Sequence, residues 1–389
     1  MTTEATGVGE LLALLRDGQA RTRSDLVKLT GMARSTVTAR LDALLEQKWI
    51  VPSGESLSSG GRPAAAFAFN PTARVVLAAD LGAMHARAAI TDLSANILAQ
   101  RRVEIAISEG PEKVLGWLVT AFEELLQEQG RTTGDVSGVG VGLPGPVAHE
   151  SGRPVNPPIM PGWDDFDVPG WLSERLHVPV LVDNDVNIMA LGEHWSTGQT
   201  IEHMLFVKIG TGIGSGIISG HRLHRGMQGA AGDIGHIRVR GEHSDAACRC
   251  GNVGCLEAVA GGAAIADRLR ADGKDTRHAW DVVRLVRRGD QAALTLVRQA
   301  GRELGDVLAS LVNFFNPTVI VIGGELVDAG EHLLAGVRER VYSRSLPLAT
   351  AHLQIRASEL GERVGVIGAA VMVIEETLTP ERVGRTTLS

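Results

Sequence analysis

Two neighbouring stretches, Gly232-Asp233-Ile234-Gly235-His236 and Cys248-Arg249-Cys250-Gly251-Asn252-Val253-Gly254-Cys255-Leu256-Glu257, carry the most specific information in this chain of 389 residues. All three cysteines fall within eight positions, and His236 precedes the first of them by twelve. One imidazole and three thiolates complete a tetrahedral shell for Zn²⁺ and leave no position for water, the mark of a structural rather than a hydrolytic ion. The competing assignments are a reactive thiol cluster, or a disulfide with a spare cysteine. Cys248 and Cys250 are too close to bridge each other easily. The intervening glycines suit tight turns around an ion.

Length implies two or three domains. With 44% hydrophobic and 21% charged residues, the composition is that of an ordinary globular protein. No apolar run reaches membrane-spanning length, and Met1 to Glu10 lacks the regions of a signal peptide. A cytoplasmic protein with no membrane partner is the expectation. The net charge of −7 gives no bulk attraction to nucleic acid, so any DNA contact requires a local patch.

Such a patch lies near the start. Apolar spacing predicts a helix over 8–15, a second over 25–29 with Thr22 and Asp25 as a capping box, a turn at Thr30-Gly31-Met32, and a third helix over 34–47. Val37, Leu41, Leu44 and Leu45 form the buried stripe of that third helix. Arg34, Ser35, Thr36, Thr38 and Arg40 stay on its other faces as candidate DNA contacts. Apolar pieces at 49–51 and 64–69 flank a loop ending in Gly60-Gly61-Arg62-Pro63, which reads as a wing with Arg62 placed for a minor groove. Residues 16–41 hold six Lys/Arg against two Asp, a basic segment in an acidic chain. This is the pattern of a winged helix-turn-helix; a small helical dimerisation module is the alternative.

Beyond it, β-rich runs at 75–79, 88–92, 136–141, 178–182, 204–209, 217–219 and 319–322 alternate with helical patterns at 114–127, 263–269 and 304–314, an α/β chain. Glycine-rich turns follow several strands, where backbone N–H groups hold phosphates and sugars.

The order of those turns is informative: Asp80-Leu81-Gly82, Gly142-Leu143-Pro144-Gly145-Pro146, Asp183-Asn184-Asp185-Val186-Asn187, Gly210-Thr211-Gly212-Ile213-Gly214-Ser215-Gly216, then Gly226 to His236, the cysteine cluster and Gly323-Gly324. The series resembles the ROK family (repressors, open reading frames and sugar kinases) over nearly the whole chain. The winged module makes it similar to the family's transcriptional regulators of sugar metabolism. The resemblance implies a two-lobed sugar kinase/Hsp70/actin-like (ribonuclease H-like) fold. Residues 1–72 would form the DNA-binding domain. Residues 73–182, with a returning segment at about 366–382, would form the small lobe, and 183–365 the large lobe with the zinc site. It further implies Asp185 at the position of the kinase general base, with Asn184, Asn156, His236 and Glu257 as sugar ligands. His236 would bind zinc with one ring nitrogen and face the sugar with the other. Cys248, Cys250 and Cys255 would complete the metal shell.

Several positions depart from the family. Where its kinases have Asp-x-Gly-Gly-Thr, this chain has Asp80-Leu81-Gly82-Ala83-Met84, which places a Cβ and an apolar chain where phosphates are clamped. Asp233, a further sugar ligand with Asp185 in that set, stands where Glu is usual; one methylene shorter, it reaches a sugar through water or suits a different sugar. The loop between His236 and Cys248 is long, with an insert around Glu242 to Ala246, making His243 a substitute ligand. The expected function is a sugar-responsive regulator, a repressor of carbohydrate genes, acting on operator DNA as a homodimer or homotetramer without kinase activity. The alternatives are an active ATP-dependent sugar kinase with an added DNA-binding module, and an effector domain that recruits a protein partner.

Overall fold

The computed structural model describes residues 3–55, 65–241 and 243–388. Thr3–Leu15, Arg23–Thr30 and Arg34–Glu46 are helices. The second begins on the expected box: the Asp25 N–H donates to the Thr22 hydroxyl, and the Thr22 N–H donates to the Asp25 carboxylate. Val37, Leu41 and Leu44 of the third helix share a core with Leu11, Leu12 and Leu15 of the first, whereas Leu45 is half-buried. Strands Ile50–Glu55 and Ala65–Phe69 pair antiparallel, and Arg21–Thr22 adds to the free edge of the latter. The wing tip, Arg62 included, lies outside the described residues, as does Glu242.

Two five-stranded sheets follow. The first runs Ile97–Val103, Ala86–Asp92, Val75–Leu81, Val136–Leu143, Val180–Asn184 across the sheet. The second runs Arg222–Leu223, Ile213–Ser219, His203–Ile209, Val319–Gly323, Gln354–Ala357. In each, three strands form an antiparallel meander and two more add in parallel beside the first. Periodicity missed Ile97–Val103 because it is an edge strand that alternates half-buried and exposed positions and carries Arg101 and Arg102. Gln354–Ala357 is too short to announce itself.

Helix Asp185–Ser196 lies between the sheets and touches strands of both. Helix Val364–Thr377 crosses it and packs on the first sheet, so the chain returns to the lobe where the α/β part began. The crossing is a backbone contact. A Cβ on Gly368 would lie 1.6 Å from the Ile188 carbonyl oxygen, and one on Gly192 would lie 2.2 Å from that of Val364. The final helix, Pro380–Leu388, then packs against Thr3–Leu15, with Leu378 and Val383 in the same core as Leu11 and Leu12. No helix among the described residues is long and apolar enough to cross a membrane.

This crossing gives a paired test. Gly368→Ala is expected to destabilise the protein by about 1–3 kcal/mol through overpacking. Gly116→Ala is expected to be neutral or stabilising by up to about 1 kcal/mol, since helical Gly116 has nothing within 4 Å of its Cβ position. Denaturation midpoints of the two variants measure the difference; equal effects would remove the crossing as a constraint.

Candidate functional site

A cleft of about 430 Å³ opens between the lobes. Its floor includes Asn184 and Asp185, where strand Val180–Asn184 hands over to helix Asp185–Ser196. Its walls include the Gly210–Gly216 turn, Gly229 to Asp233, Gly323 to Glu325 and the Asp80 to Arg87 hairpin. Asp185 is 5% exposed, and its carboxylate is paired with the Lys208 ammonium. Asn184 caps the helix: its Oδ1 accepts from the Val186 N–H at 2.9 Å, while its Nδ2 donates to the Gly145 carbonyl at 2.9 Å. Asp183 is spent inside the fold, accepting from Arg225 Nε at 2.6 Å and from Asn187 Nδ2 at 2.7 Å.

Of the six residues expected to meet a sugar, Asn184, Asp185, Asp233, His236 and Glu257 line this cleft. Asn156 does not. It is exposed at φ 43°, its N–H donates to Asp164 at 2.7 Å, and Pro158 and Ile159 of its loop line the cleft instead.

His236, Cys248, Cys250 and Cys255 offer four ligand atoms within 4.8 Å of one another. The Cys250 and Cys255 sulphurs are 3.7 Å apart, and Cys248 Sγ lies 3.6 Å from His236 Nδ1. Tetrahedral bonds of about 2.3 Å to sulphur and 2.0–2.1 Å to nitrogen separate ligand atoms by about 3.8 Å for S···S and about 3.6 Å for S···N. The donor set therefore fits such an ion. Nδ1 is the nitrogen on the sulphur side; Nε2 lies 3.9 Å from Asp233 Oδ1. His243, the substitute ligand, is exposed and outside the group. Glu257 bridges cluster and cleft. Its Oε1 is 3.3 Å from Cys248 Sγ, and its Oε2 packs on the Gly210–Gly216 turn, 2.5 Å from where a Cβ on Gly212 would be.

The opposite end of the cleft is a network that sequence reasoning missed. Arg87 lies 3.8 Å from Asp80 and 2.8 Å from Glu362, which Arg102 also approaches at 3.5 Å. Arg87 donates to His85 Nε2 at 2.7 Å, leaving Nδ1 on the side of Glu325, 3.9 Å away. Burial, with Arg87 and Lys208 nearby, pulls the His85 pKa down to about 3, so this imidazole is neutral in the folded protein across the physiological range. Burial works against the Lys208 ammonium, but Asp185, Asp80 and Glu325 outweigh it and hold its pKa above the ordinary lysine value. The available signal was a lone lysine in the apolar strand His203–Ile209, two residues before a glycine turn.

In the N-terminal module, Arg34 and Ser35 are exposed, and Thr36 and Thr38 half-buried, along the third helix. Arg40 turns back. A Cβ on Gly7 of the first helix would be 2.1 Å from its guanidinium Nη1, which also lies 2.6 Å from the Met32 sulphur.

The ROK family pattern matches residues 76–376. The chain is 28% identical to the xylose repressor of Caldicellulosiruptor bescii, with 96% of each chain covered. It is 30% identical to the DNA-binding transcriptional dual regulator NagC of Escherichia coli strain K12, covering 90% of this chain and 88% of NagC. A crystal structure of a ROK family transcriptional regulator, a homolog of the E. coli MLC protein, superposes with a TM-score of 0.82 at 26% identity over 99% of both chains. Two sheets of one topology around a cleft, a His/Cys₃ cluster on its wall and a matching pattern over most of its length place this chain in the ROK family.

Proposed function

We infer that the chain is a sugar-responsive transcriptional repressor. The observation that carries this is the path of the C-terminal segment. Helix Val364–Thr377 forms the interlobe crossing and runs, through Leu378 and Thr379, into the helix packed on the DNA-binding module. Any change in how the lobes meet is passed to the first helix by covalent continuity and a shared core. A sugar bound in the cleft favours one lobe arrangement, and only one arrangement presents the recognition helices to operator DNA. Two recognition helices on half-sites about 34–36 Å apart require a two-fold assembly, a homodimer or a pair of dimers. Arg34, Ser35, Thr36 and Thr38 reach the major groove and Arg62 the minor groove, while Arg40 holds the third helix on the first. The protein acts in the cytoplasm, where its operator is.

Zinc is the ion proposed for the cluster. It would fix the His236 tautomer through Nδ1, leaving Nε2 for a sugar hydroxyl, and hold Glu257 at the cleft wall. Asp185 accepts at the floor, Asn184 offers only the amide hydrogen left over from its bond to the Gly145 carbonyl, and Asp233 reaches the ligand directly or through water. Asn156 joins this set on closure of the lobes. Xylose and N-acetylated hexosamines, with their phosphates, are the first sugars to screen. Bound ligand stabilises the native state by RT ln(1 + [L]/Kd), so thermal shift reads weak binders at millimolar concentration.

A chain lacking residues 1–72 is expected to lose operator binding in a gel shift. Ser35→Ala or Thr36→Ala changes base preference at a cost of about 1–3 kcal/mol, and Arg62→Ala weakens binding chiefly at A·T-rich positions. Retained operator binding by the truncated chain would falsify the assignment.

Cys250→Ser is expected to abolish zinc content and weaken sugar binding while leaving operator affinity intact, read by elemental analysis and calorimetry. Undiminished sugar affinity in folded, metal-free protein would remove His236 from the ligand site. No sugar-dependent ADP release is expected from the wild-type chain in a coupled assay. Turnover abolished by Asp185→Asn would establish the kinase alternative instead.

A further inference from the structure

Kinases of this fold hold a metal-bound nucleotide beside the sugar. The residues of this chain do not fit that group, for a reason separate from the altered Ala83 and Met84. A divalent cation needs carboxylates free to receive it. Here the carboxylates around Lys208 are already matched from within the chain. Asp185 has the Lys208 ammonium, Asp80 and Glu362 have Arg87, and Glu325, beside the neutral His85 ring, has Lys208 as its strongest attracting charge. The key group is Lys208. Its side chain and the Glu325 carboxylate flank Gly210, at 3.6 Å and 3.9 Å from that residue's Cβ position, at the mouth of the Gly210–Gly216 turn.

We propose that Lys208 is a tethered cation occupying the place a divalent metal would take, and that it determines the specificity of the cleft for a ligand without metal or nucleotide. The proposal rests on the reading above that the cleft binds a ligand it does not phosphorylate. An ammonium fixed on Asp185 does two things. It favours the ionised form of the carboxylate against the burial that raises its pKa, and it repels any second cation brought to the same oxygens. Because it belongs to the chain, its effective concentration at Asp185 exceeds that of a diffusing ion.

Mn²⁺ titration of the full-length, zinc-loaded protein, with free Mn²⁺ followed by electron paramagnetic resonance, tests this without sugar or DNA. Failure here and failure of the repressor reading are therefore separate results. Wild-type protein and Lys208→Arg are expected to show no saturable Mn²⁺ site at millimolar concentration. Lys208→Met is expected to gain one site, tighter by at least about tenfold, and the Lys208→Met/Asp185→Asn double variant to lose it. Lys208→Gln serves as a second neutral variant if Lys208→Met does not fold. Three outcomes overturn the proposal: a saturable wild-type site of equal affinity, no gain in a folded neutral variant, or a gain that survives loss of Asp185.

Discussion

The contact between the backbones of Asp185–Ser196 and Val364–Thr377 constrains the rest of the molecule. Gly192 and Gly368 let one helix rest on the other's carbonyl oxygens, closer than any Cβ would permit. From this crossing the first helix leads back to Asn184 and Asp185 at the floor of the cleft, and the second leads on to the N-terminal helical module. Ligand site and DNA module are thus opposite ends of one packed pair. Cores of this density have discrete arrangements rather than continuous ones.

Electrostatics in the cleft tell a consistent story about what kind of ligand suits it. Burial raises Asp80, Asp185 and Glu325 towards neutrality, and Lys208 and Arg87 oppose that. Carboxylates balanced in this way are good partners for hydroxyl groups, because they accept hydrogen bonds without demanding a counter-charge from the ligand. The wall opposite uses a different device. There the His236 ring is grouped with three sulphurs and the Glu257 carboxylate lies against Cys248 Sγ and that ring, so their orientation is set by the cluster rather than by solvent-exposed rotamers.

The two ends of the cleft also differ in how readily they could be anticipated. The cysteine cluster announces itself because metal ligation needs rare residue types at short spacing. The charged network draws on common residues from distant segments: Asp80 and Arg87, Asp185, Lys208, Glu325 and Glu362. Nothing in their spacing marks them as neighbours, since the two sheets and the returning chain bring them together.

By itself the sequence determined the α/β class, the N-terminal helices with their Thr22–Asp25 box, the quartet of His236, Cys248, Cys250 and Cys255, and the unusual Asp80-to-Met84 hairpin. Each rests on local chemistry: apolar period, capping residues, or ligands a few residues apart. Tertiary structure decided what those signals could not contain. It spent Asn184 on a cap, turned Arg40 back onto Gly7, and left Asn156 outside the cleft. It excluded His243 from the cluster and placed Lys208 on Asp185. A side chain's residue type fixes what it can donate or accept. Which partner it meets depends on atoms contributed by segments far away in the chain, and those are known only once the sheets have packed.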